Sequence, residues 1–374
     1  MTGTGPLHRV DLFLTRPICS NSQLTTWKNL AAAGRRAVQQ HIVHSPKPLR
    51  IVVLQGGDSA EREISLKSGA AVTEALARRG HRVCAIDPAE TPLETVDWPR
   101  FDAAFIALHG QFGEDGAVQT LLTGWGVPYT GSRAAASRLA FSKSASKERF
   151  LSNGVPTPEY RLVHFSDSRR YLQQVAEELG YPAVMKPDAS GSSLGVSILD
   201  TPDQLTQAAE KCFEHGPFGL LERFIAGTEW TLGLFDKLCL PLIRIEPRQE
   251  FYDFRAKYED DGTGYCLETG HSPAELSVIE HAGAAAARAI GTKGIARVDL
   301  RVDAAGNPWV LEVNTVPGFT SHSLVPKAAQ RFGWSFDELC ERAVRSCVTH
   351  HLRGPHKSQD RANKRSKLSL REAS

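Results

Sequence analysis

Short apolar runs alternate with amphipathic stretches over the first folded-looking part of the chain. Residues 50–54, Arg-Ile-Val-Val-Leu, are apolar and β-branched, which predicts a strand. Gly56-Gly57 breaks that run. A helix is predicted from about Ser59 to Arg79, with basic residues in its last turn and Gly80 as its C-terminal stop. Asp58 or Ser59 is the expected N-cap. Residues 81–87 and 103–108 read as two further strands. Strand, helix and strand at this spacing imply a parallel α/β unit, ending near Thr130-Gly131-Ser132.

The pattern then shortens. Residues 142–153 predict a helix, and Gly154-Val-Pro-Thr-Pro a loop. Strands are expected at 182–186 and 195–199, joined by a glycine/serine loop over 190–195. A helix over 202–213, strands at 219–224, 230–235 and 240–245, and an alanine-rich helix over 277–290 stopped by Gly291 follow. A closing helix spans 335–348. Short elements in this order describe a smaller α+β unit.

Between the last two helices lies a hairpin pattern. Arg297-Val-Asp-Leu-Arg-Val alternates apolar and polar residues, Asp303-Ala-Ala-Gly-Asn has turn chemistry, and Pro308-Trp-Val-Leu-Glu-Val-Asn alternates again. Symmetric closure around Ala305 and Gly306 places Asp299 opposite Glu312 and Arg297 opposite Asn314. Residues two apart share a face, so all four groups crowd one patch. Opposed carboxylates repel unless something positive lies between them. Two carboxylates and an amide suit a hard cation such as Mg²⁺. The bland alternative is an edge hairpin with a solvated charged face.

Composition narrows the class. The chain has 374 residues, 41% hydrophobic and 23% charged, with a formal net charge of +2. That length allows two or three domains, and that charge by itself implies neither an acidic nor a basic partner. Seven cysteines are scattered without a Cys-x-x-Cys pair, which suggests no zinc site and fits a reducing compartment. No apolar run reaches the length of a membrane span. Residues 1–48 carry one acidic residue, Asp11, and no strong period, as expected of a targeting segment or an extension. The basic segment 353–374 reads as a disordered, solvated tail.

Three further segments carry candidate chemistry. Lys186-Pro-Asp-Ala-Ser-Gly-Ser-Ser-Leu-Gly offers amides and hydroxyls to phosphate oxygens, although most such loops are simple turns. Neither a P-loop nor a Gly-x-Gly-x-x-Gly occurs after a strand. Gly56-Gly-Asp-Ser-Ala-Glu-Arg-Glu follows a strand and opens a helix, where free amides suit an anion. Phe251-Tyr-Asp-Phe-Arg-Ala-Lys-Tyr interleaves aromatics and charge, the pattern of a loop able to fold over a ligand.

These segments, in this order, resemble the D-alanine–D-alanine ligase family of the ATP-grasp superfamily. Ala107-Leu-His-Gly-Gln-Phe-Gly-Glu-Asp-Gly, Pro128-Tyr-Thr-Gly-Ser and Glu312-Val-Asn-Thr-Val-Pro-Gly-Phe-Thr-Ser-His-Ser-Leu-Val-Pro belong to the same likeness, which covers about 50–350. It implies an ATP-grasp fold combining α/β and α+β architecture. Its parts would be an N-terminal parallel α/β substrate domain at 49–141, a central α+β lid at 142–227 and a C-terminal α+β catalytic domain at 228–352.

The resemblance also implies roles. Lys143 and Lys186 resemble lysines that contact ATP phosphates, and Lys257 one on a loop over them. Glu222, the backbone near Ile225, and Glu229 resemble groups holding adenine and ribose. Asp299, Glu312 and Asn314 resemble ligands of two Mg²⁺ ions, with Mn²⁺ a substitute. Glu61, supported by Ser192 and Tyr258, resembles the receiver of the first D-alanine ammonium, and His109 resembles the histidine beside that substrate. Arg297 and the Gly318 amide resemble the oxyanion stabilisers; Ser323 and the Leu324 amide, the cradle of the second carboxylate.

By this resemblance the expected activity is ATP-dependent joining of two D-alanines through an acylphosphate, for peptidoglycan precursor synthesis. The expected setting is a cytoplasmic homodimer without membrane or nucleic-acid partners. Tyr258 matches the dipeptide-forming pattern rather than that of a D-lactate-accepting depsipeptide ligase. The full Asp299, Glu312, Asn314 set argues against a non-catalytic nucleotide-binding relative. Three departures stand out: Asp58, Phe224 and Val316, where the family more often has a small polar residue, a Trp and a small residue.

Overall fold

The computed structural model describes residues 47–246, 264–267, 270–320 and 323–353. Strand β1 (Arg50–Leu54) leads into helix α1 (Arg62–Arg78), and β2 (Arg82–Ile86) and β3 (Ala103–Ile106) follow. Both flank β1 in parallel, giving the order β2-β1-β3. Parallel strands need crossovers, and α1 supplies the first. Val52, Leu54, Ala104 and Ile106 bury one face of this sheet in a shared core with helix α2 (Ala117–Gly124), whose Val118 and Leu122 are fully buried.

Helices α3 (Ala134–Phe141) and α4 (Lys143–Ser152) come next, with Ser142 capping α4 through its hydroxyl. A four-stranded antiparallel sheet follows. It is built from β4 (Tyr160–His164), β5 (Ala183–Pro187), β6 (Ser197–Leu199) and β7 (Phe218–Arg223) in the order β4-β7-β5-β6. Helices α5 (Arg169–Leu179) and α6 (Leu205–Phe213) cover one side, packing Leu172, Val175, Leu205 and Cys212 onto Met185 and Leu221.

The third sheet contains β8 (Thr228–Phe235), β9 (Leu238–Cys239), β10 (Ile243–Glu246), β11 (Gly264–Cys266), β12 (Ile295–Val302) and β13 (Pro308–Asn314). Its path is β11-β10-β8-β12-β13, with β9 paired to β8. Helix α7 (Pro273–Ile290) packs Ile279, Ala286 and Ile290 against it. Ser272 and Glu275 close a capping box at its start. Helices α8 (Leu324–Phe332) and α9 (Phe336–Arg353) finish the described fold, and Arg78 Nη2 of α1 meets Asp337 Oδ1 of α9 at 2.8 Å. No described helix is long and apolar enough to cross a membrane.

The hairpin register has a feature that symmetric closure does not include. Asp299 faces Glu312 and Arg297 faces Asn314, as the alternation predicts. Further out, however, Leu300 pairs Val310 and Val302 pairs Pro308, so the register slips by one residue between Asp299 and Leu300. The slip leaves Leu311 as the extra residue of a β-bulge. The turn accounts for the offset. Asp303 and Asn307 close a three-residue loop, with Gly306 at φ +84°. This is the turn geometry that carries a left-handed residue at its end. The Asp303 carboxylate accepts from the amides of Ala305 and Asn307 at 2.9 Å each and from Trp309 Nε1 at 3.0 Å.

Candidate functional site

A cavity of about 510 Å³ lies where the first and third sheets meet the 190–195 loop. Glu61 reaches it from the start of α1. Neither Asp58 nor Ser59 caps that helix; the N-cap is Glu61, without a side-chain cap bond. The Ser59 hydroxyl accepts from the Glu61 amide at 3.2 Å and donates to His109 O at 2.7 Å. The amides expected to meet an anion are also taken: Gly57 N donates to Asp87 Oδ1 at 2.9 Å and Gly56 N to Ser65 Oγ at 2.8 Å. Arg62 pairs with Asp87 at 2.7 Å.

The buried Glu61 carboxylate accepts a hydrogen bond from the hydroxyl of Ser192, 131 residues along the chain. That contact requires the loop to come very close. A Cβ on Gly191 would lie 2.5 Å from Glu61 Oε2. Ser192 and Ser193 sit at φ +52° and +58°, a left-handed backbone that non-glycine residues adopt at a cost. Lys143 Nζ fastens the same loop by donating to Ser190 O at 2.6 Å.

His109 lies behind Glu61. Its Nδ1 is 3.1 Å from Val316 O and its Nε2 3.1 Å from Ser68 Oγ. A tautomer with the hydrogen on Nδ1 satisfies both contacts. Val316, one of the sequence departures, thus holds His109 by its carbonyl while its side chain joins the apolar core beneath the first sheet. Gly318, Thr320, Ser323 and Leu324 form another wall, with Thr320 N donating to Ser323 Oγ at 3.1 Å.

The hairpin forms the wall between this cavity and a narrow cleft of about 80 Å³. The Arg297 guanidinium grips Asp299 with two donors, at 2.9 Å to Oδ1 and 2.7 Å to Oδ2. Thr231 of β8 donates to the same carboxylate at 2.8 Å. Glu312 Oε2 lies 3.3 Å from Lys143 Nζ. Asn314 Oδ1 accepts from Val316 N at 2.9 Å. The donors on this wall are oxygens, the chemistry of a hard cation, and the opposed carboxylates are balanced here by side-chain cations. Oxygen groups of this kind suit Mg²⁺, while no group of three His, Cys, Asp or Glu placed to hold a metal occurs among the described residues.

The cleft is lined by Lys186, Glu222, Phe224, Ile225 and Glu229. Lys186 Nζ donates to Glu222 Oε1 at 2.9 Å. On its other side, Glu222 Oε2 meets Lys147 Nζ at 2.6 Å. Lys147 is fully buried and also donates to Thr157 Oγ1 at 2.7 Å. Burial opposes the charge on Glu222, yet the two ammonium groups outweigh it and hold its pKa below the ordinary value. Burial pushes Lys147 down to about 8, against the pull of Glu222. Glu229 pairs with Arg301 at 3.9 Å, and Arg301 lies 5.0 Å over the Phe224 ring. An aromatic face is thus kept at a position where Trp is more usual.

Of the expected site residues, the fold gathers Glu61, His109, Lys143, Ser192, Arg297, Glu312, Asn314, Gly318, Ser323 and Leu324 around the larger cavity. Lys186, Glu222, Ile225, Glu229 and Asp299 line the cleft. Lys257 and Tyr258, with the expected loop around them, lie outside the described residues. Lys147, Thr231 and Arg301 escaped the sequence reading. The signal for Lys147 was its spacing from Lys143, four residues on one helical face.

Comparison with known proteins gives one consistent set of likenesses. Residues 150–345 match the family described as D-ala D-ala ligase C-terminus, and residues 88–132 match D-ala D-ala ligase N-terminus. The D-alanine--D-alanine ligase of Gloeobacter violaceus is 42% identical over 298 residues, spanning 79% of this chain and 98% of that protein. Its counterpart from Synechococcus sp. (strain JA-3-3Ab) is 44% identical over 306 residues, 80% of this chain and 94% of that one. Among solved structures, the Bacillus anthracis D-alanine--D-alanine ligase complexed with ATP superposes with a TM-score of 0.70 at 30% identity. It covers 82% of this chain and 99% of its own.

Proposed function

The chain belongs to the D-alanine–D-alanine ligase family, and from that premise we infer that it uses ATP to join two D-alanine molecules into D-alanyl-D-alanine. The observation that carries the reading is the placement of Glu61 with Ser192 and of Asp299 with Glu312 on the walls that Lys143 connects.

The first D-alanine enters with its ammonium at Glu61, whose charge is held in place by Ser192 and whose rear is closed by His109. Its carboxylate then points toward the hairpin wall. ATP occupies the cleft, with Lys143 and Lys186 at its phosphates and Glu222, Ile225 and Glu229 around adenine and ribose. At about 80 Å³ the cleft is smaller than the 300–1,000 Å³ of ordinary ligand cavities, so admitting the nucleotide opens it. The central sheet at 160–223, which carries Lys186 and Glu222, is the part proposed to move.

Asp299, Glu312 and Asn314 would hold Mg²⁺, which would supply charge neutralisation at the phosphate oxygens. Lys143 and Lys186 add to it and aim the terminal phosphoryl group at the carboxylate, so positioning and electrostatics lower the barrier. The amine of the second D-alanine attacks the resulting acylphosphate, and the C–O bond to phosphate breaks as the amide bond forms. Arg297 and the Gly318 amide face the oxygen that becomes negative. The 190–195 loop, pinned by Lys143 and Glu61, keeps water from the acylphosphate.

A cytoplasmic homodimer is the proposed setting, supported by the family likeness. The experiment for the activity is product analysis by mass spectrometry after incubation with ATP, Mg²⁺ and D-alanine. D-alanyl-D-alanine with equimolar ADP supports the reading, and ADP without dipeptide refutes it.

A further inference from the structure

We propose that Lys327 sets acceptor specificity in this site: its ammonium, carried on the face of Tyr265, receives the carboxylate of the second amino acid. The inference rests on the ligase reading and adds a residue that the sequence motifs did not mark.

Lys327 lines the larger cavity together with Arg297, Gly318 and Ser323. It stands one helical turn beyond Ser323, and its amide donates to Ser323 O at 3.0 Å. Residues four apart share a helix face, so its side chain and that of Ser323 serve the same wall. Its Nζ lies 3.6 Å from the centre of the Tyr265 ring. A ring quadrupole attracts an ammonium and fixes its place, yet leaves its full charge uncancelled. Among the described residues no carboxylate pairs with Lys327.

The neighbouring cations differ. Arg297 is forked onto Asp299, and Lys143 lies at Glu312. Lys327 is half-buried, and burial lowers its pKa. A desolvated ammonium that no described carboxylate pairs favours an incoming anion. The acceptor offers one: its amine reacts, while its carboxylate remains ionised at neutral pH. A charged partner on this wall distinguishes an amino acid from an amine of the same shape, because a neutral group there leaves the ammonium uncompensated.

The experiment compares D-alanine with D-alaninamide as acceptor, at fixed ATP and donor D-alanine, in the wild type, Lys327→Met and Lys327→Arg. The wild type should favour D-alanine. Lys327→Met should lose at least about tenfold of that preference through a raised acceptor KM, with the KM for ATP unchanged, and Lys327→Arg should keep most of it. Tyr265→Leu should raise the same KM by a smaller factor. Unchanged discrimination in a folded Lys327→Met protein would overturn the proposal. Failure of the wild type to form any dipeptide refutes the ligase reading, and this inference falls with it.

Discussion

Asp299 and Glu312 face one another across β12 and β13, immediately before the bulge at Leu311. Each carboxylate has its own cation, Arg297 for Asp299 and Lys143 for Glu312. Glu312 is the more open of the two, and its side chain retains 30% exposure. Glu312→Gln keeps the shape and removes the charge. It should leave the urea midpoint within experimental error of wild type and lower kcat by at least about a hundredfold, the cost of losing one positioned electrostatic group. Retained turnover would remove Glu312 from the metal and phosphoryl site.

A side chain at Gly191 would displace the Glu61 carboxylate. The glycine backbone lies outside the left-handed region, so the 2.5 Å approach to Glu61 Oε2 is the whole objection to a side chain. Gly191→Ala should push the loop off Glu61 and raise the KM for the first D-alanine by about tenfold or more, because small misplacement of binding groups is costly. Unfolding stability should change little. Steady-state kinetics and thermal melting together check both halves.

Lys147 and Glu222 form a buried ion pair with Lys186 as the third member. Lys147→Met leaves Glu222 with one cation instead of two. Breaking a buried pair from one side costs about 3–5 kcal/mol, and the remaining Lys186 contact sets the expectation at the low end, about 3 kcal/mol. The double variant Lys147→Met/Glu222→Gln should be less destabilised than the sum of the singles. Urea titrations of the four proteins measure the coupling, and strict additivity would contradict the pairing.

Asp303 supplies a pH signature for the hairpin. The Trp309 indole first, then the Asn307 amide and side chain, hold its pKa down to about 2. A carboxylate with a depressed folded pKa adds stability above its unfolded value, about 3.9, and loses it as pH falls toward 2. Asp303→Ala should therefore be less stable than wild type at pH 7, and the gap should shrink as pH falls below about 4. Denaturation curves across that range decide it. A gap that widens in acid would contradict the assignment.

The chain reveals some of this fold more readily than the rest. The apolar run at 50–54 is a strand at those bounds because all of it except Arg50 is buried. The four-residue patch on the hairpin was legible because alternation survives close to the site. The route to it was not, since the three-residue turn and the bulge at Leu311 offset each other and leave no trace in the alternation. Strand β4 shows no period because it is an edge with only Val163 buried. Helix α5 was not among the predicted elements, although Leu172, Val175, Ala176 and Leu179 form an apolar stripe behind a Ser168 cap. Ser59, expected as the N-cap, instead stands just ahead of the helix, where its hydroxyl accepts from the Glu61 amide and donates to the distant His109 carbonyl. Motif likeness identified Glu61 and Ser192. Their contact across 131 residues, and the ring that carries Lys327, depend on tertiary approach.

The most direct measurement is D-alanine-dependent release of phosphate by the full chain with ATP and Mg²⁺, run beside Glu312→Gln. The wild type should release phosphate only when D-alanine is present, with one dipeptide formed per phosphate, and Glu312→Gln should remain at background. Phosphate release indifferent to D-alanine, or equal in the two proteins, would contradict the placement of phosphoryl transfer at the Asp299–Glu312 wall.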